Sequence, residues 1–148
     1  MCARPRDKEE AIIAAASTLF PVKGFHATTM EDIAQEAGIG KGTIYEYFRS
    51  KEELFQQMIL EGLNRYANMV EEGLQKGTTP EEKLREFVRV NTRFFQQHQH
   101  MYRMISSEMD QPIHPACDVK EHLLRIRKWL LKRLEDILKE GMKEGTFA

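Results

Sequence analysis

An all-α chain is predicted, and two observations carry the prediction. Apolar residues recur at three- and four-residue steps along almost the whole of the 148 residues, the spacing that gathers them on one face of a helix. Nowhere does an alternating apolar and polar run stand between Asn-Gly or Asp-Gly turns, the pattern that would announce a β-hairpin.

The first helix is expected from Asp7 to about Pro21, with Ile12, Ile13, Ala16, Leu19 and Phe20 on its apolar side and Gly24 as its stop. Thr29 then precedes Met30, Glu31 and Asp32, a hydroxyl cap ahead of acids that offset the helix dipole and accept orphan N–H groups. This second helix runs to about Ala37, Gly38 suits a tight turn, and a third short helix follows from Gly40 or Lys41 to Phe48. Ser50 to Glu53 reads S-K-E-E, a capping box. It opens a long helix carrying Leu54, Phe55, Met58, Ile59, Leu63, Tyr66, Met69, Val70 and Leu74.

Gly77-Thr78-Thr79-Pro80 combines a helix stop, a hydroxyl cap and a proline at the first helical position. The helix beginning there carries Leu84, Phe87, Val88, Val90, Phe94 and Phe95. The pattern weakens at His98 to His100, Met101 to Met109 forms a short apolar segment, and Asp110-Gln111-Pro112 with Pro115 reads as a loop. A last helix spans about Asp118 to Lys143, with Leu123, Ile126, Leu130, Leu134, Ile137 and Leu138 on one stripe.

Composition narrows the function classes. Apolar residues at 41%, charged residues at 30% and only 5 Pro and 9 Gly describe a globular chain, too hydrophobic for disorder. The longest mostly apolar run, Ala11 to Phe20, is about half the ~20 residues of a membrane span. The first ten residues hold no apolar stretch before a cleavage site, so a cytoplasmic protein is expected. Cys2 and Cys117 form no C-x-x-C pair and are expected to be reduced bystanders. Residues 1 to 55 hold seven Lys/Arg against nine Asp/Glu, so bulk charge does not signal nucleic acid. Between Lys41 and Lys51 the balance reverses, because Lys41, Arg49 and Lys51 face only Glu46.

That basic stretch lies in a recognisable frame. Ala34 is a small residue where two helices would touch, Gly38 stands four later in the turn, and Ile44 six beyond it is branched and apolar, which fits a helix-turn-helix. Ile33, Ala37, Ile39 and Phe48 supply the surrounding core. On the outward face Lys41, Gly42, Thr43, Tyr45, Tyr47 and Lys51 place cations, hydroxyls and bare backbone, the groups that contact phosphates and base edges. Thr28 and Thr29 can do the same at the second helix. Two readings stay open for some of these: Tyr45 and Tyr47 as core aromatics, Lys51 as a solvated helix start, and Glu46 as an acceptor for a cytosine amino group or a residue turned to solvent.

The run from Gly24 to Phe55, G-F-H-A-T-T-M-E-D-I-A-Q-E-A-G-I-G-K-G-T-I-Y-E-Y-F-R-S-K-E-E-L-F, closely resembles the DNA-binding domain of the TetR (tetracycline-repressor) family, over about residues 7 to 60. Beyond residue 60 the resemblance is architectural. It implies a three-helix DNA-binding domain over residues 5–50, with the helix-turn-helix at about 29–48. A helical ligand-binding and dimerisation domain over 51–148 follows, in which 51–76 is the bridging helix. It also implies a homodimer on palindromic double-stranded operator DNA, with recognition helices in major grooves about 34 Å apart. A small hydrophobic effector would shift that spacing and release the repressor. In the family's pattern Thr28, Thr29, Tyr45, Tyr47 and Lys51 correspond to DNA-backbone contacts, and Lys41, Gly42 and Thr43 to positions nearer the bases.

Family members usually continue with two or more further helices that build the dimer's four-helix interface, whereas this sequence stops at Thr146-Phe147-Ala148. The regulatory domain is therefore expected to be incomplete relative to the family, and dimerisation to recruit the helix from Asp118 to Lys143. A second expectation stands beside the repressor: a truncated helical interaction module with weak or nonspecific DNA binding.

Three other constellations bear on function. Phe87, Phe94, Met101, Tyr102, Met104, Ile105 and Trp129 are candidates to line an apolar effector pocket, methionine and aromatics being adaptable linings. His98, His100, His114 and His122 invite a metal site, but a two-residue spacing does not share a helix face and no carboxylate or thiol accompanies them, so no metal or other cofactor is expected. No Ser-His-Asp or Cys-His arrangement, phosphate-cradling loop or carboxylate pair stands out, so no catalytic residues and no enzyme activity are expected.

Overall fold

The computed structural model describes residues 5–110 and 119–148, with side chains over 6–106 and 119–148. The described residues form seven helices and no strand: α1 (Pro5–Lys23), α2 (Met30–Glu36), α3 (Lys41–Tyr47), α4 (Lys51–Lys76), α5 (Pro80–Gln97), α6 (Gln99–Asp110) and α7 (Val119–Lys143). The expected loop at Gln111 to Pro115, with His114, and both cysteines, Cys2 and Cys117, lie outside the described residues.

The helix boundaries follow local chemistry. Helix α1 continues past Pro21 to Lys23. Proline's fixed φ is itself helical, so the helix continues through it although Pro21 has no N–H to donate to the carbonyl four residues back. Gly24, at φ +88°, then ends it. Thr79 caps α5 by accepting from the Glu82 amide at 3.2 Å, and the Glu82 carboxylate answers by accepting from the Thr78 and Thr79 amides at 2.8 and 3.3 Å. At the start of α4 the Ser50 hydroxyl accepts from the Glu53 amide at 3.1 Å, while the Glu53 carboxylate reaches one residue further back than the simple box, to the Arg49 amide at 2.7 Å. No described helix is long and apolar enough to cross a membrane.

Packing groups the chain into two units. The first comprises residues up to Leu60 together with His100–Lys120. Its core joins Ile12, Ala16 and Phe20 of α1, Ile33 of α2, Ile44 of α3, and Leu54 and Phe55 of α4, all fully enclosed. Phe20, Phe25 and Phe55 form an aromatic trio with ring centroids 5.2 to 5.5 Å apart, mostly edge-on, a geometry that adds to the area they bury.

The second unit comprises Glu61–Gln99 and Glu121–Ala148. Tyr66, Val70 and Leu74 of α4 pack with Val90 of α5 and Ile137 of α7, flanked by Phe87, Phe94, Ile126, Trp129 and Leu130. Gly73 permits the close approach, since a Cβ there would stand 2.8 Å from Val90 Cγ2. Two ion pairs brace the same helices: Lys83 with Glu140 at 2.8 Å, and Arg133 with Glu71, whose Nε to Oε1 distance is 2.7 Å. The Tyr66 hydroxyl donates to Asn91 Oδ1, and the Asn91 amide donates to the Phe87 carbonyl at 2.7 Å. Burial raises the Tyr66 pKa above the usual phenol value.

The stripe expected on α7 is partly inward. Ile137 is buried, and Ile126 and Leu130 pack on the core, but Leu138 is 38% exposed beside Leu124 (47%), Leu131 (58%) and Met142 (59%), which form a second apolar face.

Candidate nucleic-acid interface

Helices α2 and α3 are joined by residues whose backbone does the turning. The Gly38 amide donates to the Gln35 carbonyl at 3.1 Å and the Ile39 amide to the Ala34 carbonyl at 3.0 Å, a paired Schellman closure centred on Gly38 at φ +70°. An L-residue with a side chain is strained at that φ, so glycine is required there. Beyond the turn, α3 is only seven residues long and buries one of them, Ile44, with Phe48 enclosed just after its end.

That single inward anchor decides what α3 presents. Lys41, Gly42, Tyr45 and Glu46 are exposed and contiguous, with half-buried Thr43 and Tyr47 at the edges. Tyr45 is 51% exposed, which rules out the core reading for it. A Cβ added at Gly42 would meet nothing within 4 Å, so no packing inside the protein demands glycine there. Gly40, the cap residue, supplies no side-chain acceptor to the first turn of α3.

Helix α2 begins beside this surface. The Thr29 hydroxyl accepts from the Asp32 amide at 3.0 Å, and the Asp32 carboxylate accepts from the Thr29 amide at 2.9 Å. Thr29 is exposed. Thr28 is different: it is 0% exposed and its hydroxyl donates to the Gly24 carbonyl at 2.6 Å. In the free chain the Thr28 hydroxyl is thus committed to the carbonyl of the glycine that follows α1.

Three cations around the surface are engaged. Lys41 lies 3.0 Å from Glu31, an exposed pair in which both groups can exchange partners. The Glu31 hydrogen bond holds the Lys41 pKa above the usual ammonium value. Lys23, which the sequence reading passed over, lies 2.6 Å from Asp32. That bond, followed by those from the Thr29 amide and hydroxyl, lowers the Asp32 pKa to about 2. The only sequence signal for Lys23 was a cation in the last turn of α1, where it also suits the helix dipole. Lys51 points inward, its ammonium donating to the Phe25 carbonyl at 2.7 Å.

The pocket candidates are distributed over both units. Phe87, Phe94 and Trp129 flank the core of the second unit, whereas Met101, Tyr102, Met104 and Ile105 belong to the first, where Tyr102 is 54% exposed. The Phe94 ring stands between Tyr66 and His98, at 4.5 and 4.4 Å.

Comparison with known proteins matches two stretches of the chain. A sequence model described as bacterial regulatory proteins, tetR family, matches residues 12–58, and one for a tetracyclin repressor-like C-terminal domain matches residues 80–148. The chain is 30% identical to the HTH-type transcriptional regulator YfiR of Bacillus subtilis (strain 168) over 164 residues, covering 96% of this chain and 69% of that one. It is 28% identical to the HTH-type transcriptional repressor KstR2 of Mycolicibacterium smegmatis, covering 97% of this chain and 69% of the repressor. Among solved structures, the transcriptional regulator FadR from Bacillus subtilis in complex with stearoyl-CoA superposes with a TM-score of 0.69 at 25% identity, over 94% of this chain and 73% of FadR.

Proposed function

The chain belongs to the TetR family of bacterial regulatory proteins, and from that premise we propose that it is a ligand-responsive repressor that reads double-stranded operator DNA as a homodimer, through α3. The observation that carries the proposal is the division of α3: one residue, Ile44, is spent on the core, and Lys41, Gly42 and Tyr45 are left outward. In this reading Lys41, Gly42 and Thr43 approach base edges, while Thr29, Tyr45 and Tyr47 hold phosphates. Residues 5–50 form the reading domain and 51–148 the regulatory domain, and the protein works in the cytoplasm where its operator lies. The relatives are transcription regulators, and no reaction is assigned to this chain.

For the effector we infer a hydrophobic ligand of the acyl type. FadR is a structural relative in complex with stearoyl-CoA, and the second unit offers partly buried Phe87, Phe94 and Trp129 beside the Tyr66–Asn91 polar pair. Binding there would change the separation of the two reading heads, which must stay about one DNA turn apart.

The test is fluorescence anisotropy of the chain on DNA from upstream of its own gene and on a scrambled duplex, across salt concentrations, with and without acyl-CoA. Tight binding that prefers the genuine duplex, weakens steeply with salt and is released by acyl-CoA is the expected result. Equal, weak binding to both duplexes would overturn it. That outcome would favour the second reading, a helical interaction module, for which the exposed Leu124, Leu131, Leu138 and Met142 face of α7 is the supporting observation.

A further inference from the structure

Resting on the DNA-reading proposal, a finer assignment concerns Glu31, an exposed acid beside the groups expected to meet DNA. We propose that Glu31 and Lys41 act as one unit that reads a G·C base pair in the major groove of each half-site, Lys41 donating to the guanine and Glu31 accepting from the cytosine across it.

This ion pair differs from those along the longer helices. Arg85–Glu81, Arg125–Glu121 and Lys132–Asp136 each lie one turn apart on a single helix. Glu31 and Lys41 are 10 residues apart in sequence and belong to α2 and α3, the two helices of the helix-turn-helix. Lys41 Nζ stands 3.0 Å from Glu31 Oε2, and the side chains are 68% and 64% exposed. Wherever Lys41 meets DNA, a carboxylate therefore meets it too. Gly42, the next residue, has no side chain to hold the backbone off, and nothing lies within 4 Å of the place a Cβ would take.

The edge of a G·C pair is the complement of this unit. Guanine O6 accepts from cytosine N4 within the base pair, so the two atoms lie about 2.9 Å apart, and each keeps a free bonding direction in the major groove. A donor and an acceptor 3.0 Å apart fit that edge side by side, and the bond between Lys41 and Glu31 need not break. An ammonium has three donors, of which Glu31 takes one, leaving two for guanine O6 and N7. The carboxylate keeps acceptor sites for the cytosine amino group. A T·A pair also sets a donor beside an acceptor, but thymine gives the ammonium one acceptor in place of two and adds a methyl group next to it. Phosphate alone suits the unit poorly, because the carboxylate repels what the ammonium attracts.

A duplex that the wild-type chain selects from a randomised pool supplies the site, and base analogues then test single atoms. N4-methylcytosine puts a methyl group where the groove-facing N–H was, and 7-deazaguanine lacks N7. In the wild type both are expected to weaken binding at the same G·C pair, N4-methylcytosine by about tenfold per half-site, as a hydrogen bond to a charged group implies. Glu31→Ala is expected to bind the unmodified site about tenfold more weakly per half-site. It should also bind scrambled DNA more tightly and ignore N4-methylcytosine at that pair.

Sensitivity to N4-methylcytosine that is absent from the wild type, or that persists in Glu31→Ala, overturns the assignment. Should the variant fail to fold, the wild type still decides: sensitivities to the two analogues that fall on different base pairs refute a single unit. If selection enriches no duplex over scrambled DNA, the DNA reading fails and the unit with it. A selected site indifferent to both analogues leaves that reading standing and removes only the Glu31–Lys41 unit.

Discussion

Replacing Gly42 by alanine should separate the stability of this protein from its DNA binding. The backbone at Gly42 is not in the left-handed region, since positive φ occurs only at Gly24, Gly38 and Gly145 among the described residues. A methyl group there meets no atom within 4 Å. Folding should therefore gain from the change, by up to about 1 kcal/mol of helix propensity and less if the first turn of α3 frays. On DNA the same methyl extends about 1.5 Å from Cα. Where backbone and DNA touch, the helix must retreat by a similar distance, and hydrogen bonds of ordinary length then break. One good base-edge interaction is worth about 1 to 3 kcal/mol. Forfeited in both half-sites of a dimer, that is about thirtyfold in affinity at the least, at about 1.4 kcal/mol per factor of ten. The assay is a thermal melt beside an anisotropy titration on operator DNA. A melting temperature that falls would refute the claim that Gly42 is free of internal packing. An unchanged operator affinity would refute the claim that DNA approaches α3 at this residue.

Two further predictions bear on the parts that present that surface. Ile44→Ala removes the one buried side chain of α3 and should destabilise the first unit by about 2 to 5 kcal/mol, the range for large-to-small changes in a core; a urea midpoint within error of wild type would contradict the anchoring role. Asp32, held at a pKa of about 2 by Lys23 and then Thr29, has a folded pKa below its unfolded value of about 3.9. Its contribution to stability is therefore full above pH ~4 and disappears as the pH falls toward 2. Carbon-detected carboxyl titration should place its midpoint near 2, Asp32→Asn should remove that part of the acid sensitivity, and a midpoint near 4 would dispose of the cap and ion-pair geometry.

Much of this was legible in the chain itself. The Ala34, Gly38 and Ile44 spacing led directly to the turn with Gly38 at φ +70° and to Ile44 as the enclosed residue. Thr29 and Thr79 were readable as caps because a cap bonds two or three residues away and needs nothing from the rest of the fold. Tyr45 was ambiguous in sequence because a three- or four-residue step admits either face at the edge of an apolar stripe, and the packing of Ile44 put it outside. For the pocket candidates the sequence was less informative: apolarity marks a residue as fit for burial but not which unit it joins, and these are distributed over both.

By itself, then, the sequence determined the all-α plan, the position of the helix-turn-helix and the identity of its core, since these depend on local spacing and on propensities that act within a few residues. Only the tertiary structure decided where the polar ends of side chains go. Thr28 bonds back to Gly24, Lys51 reaches carbonyls more than twenty residues away, and Lys23 meets Asp32 across the turn between α1 and α2. A long or rotatable side chain takes the nearest unsatisfied partner that folding brings to it, and that partner is set by contacts no local pattern contains.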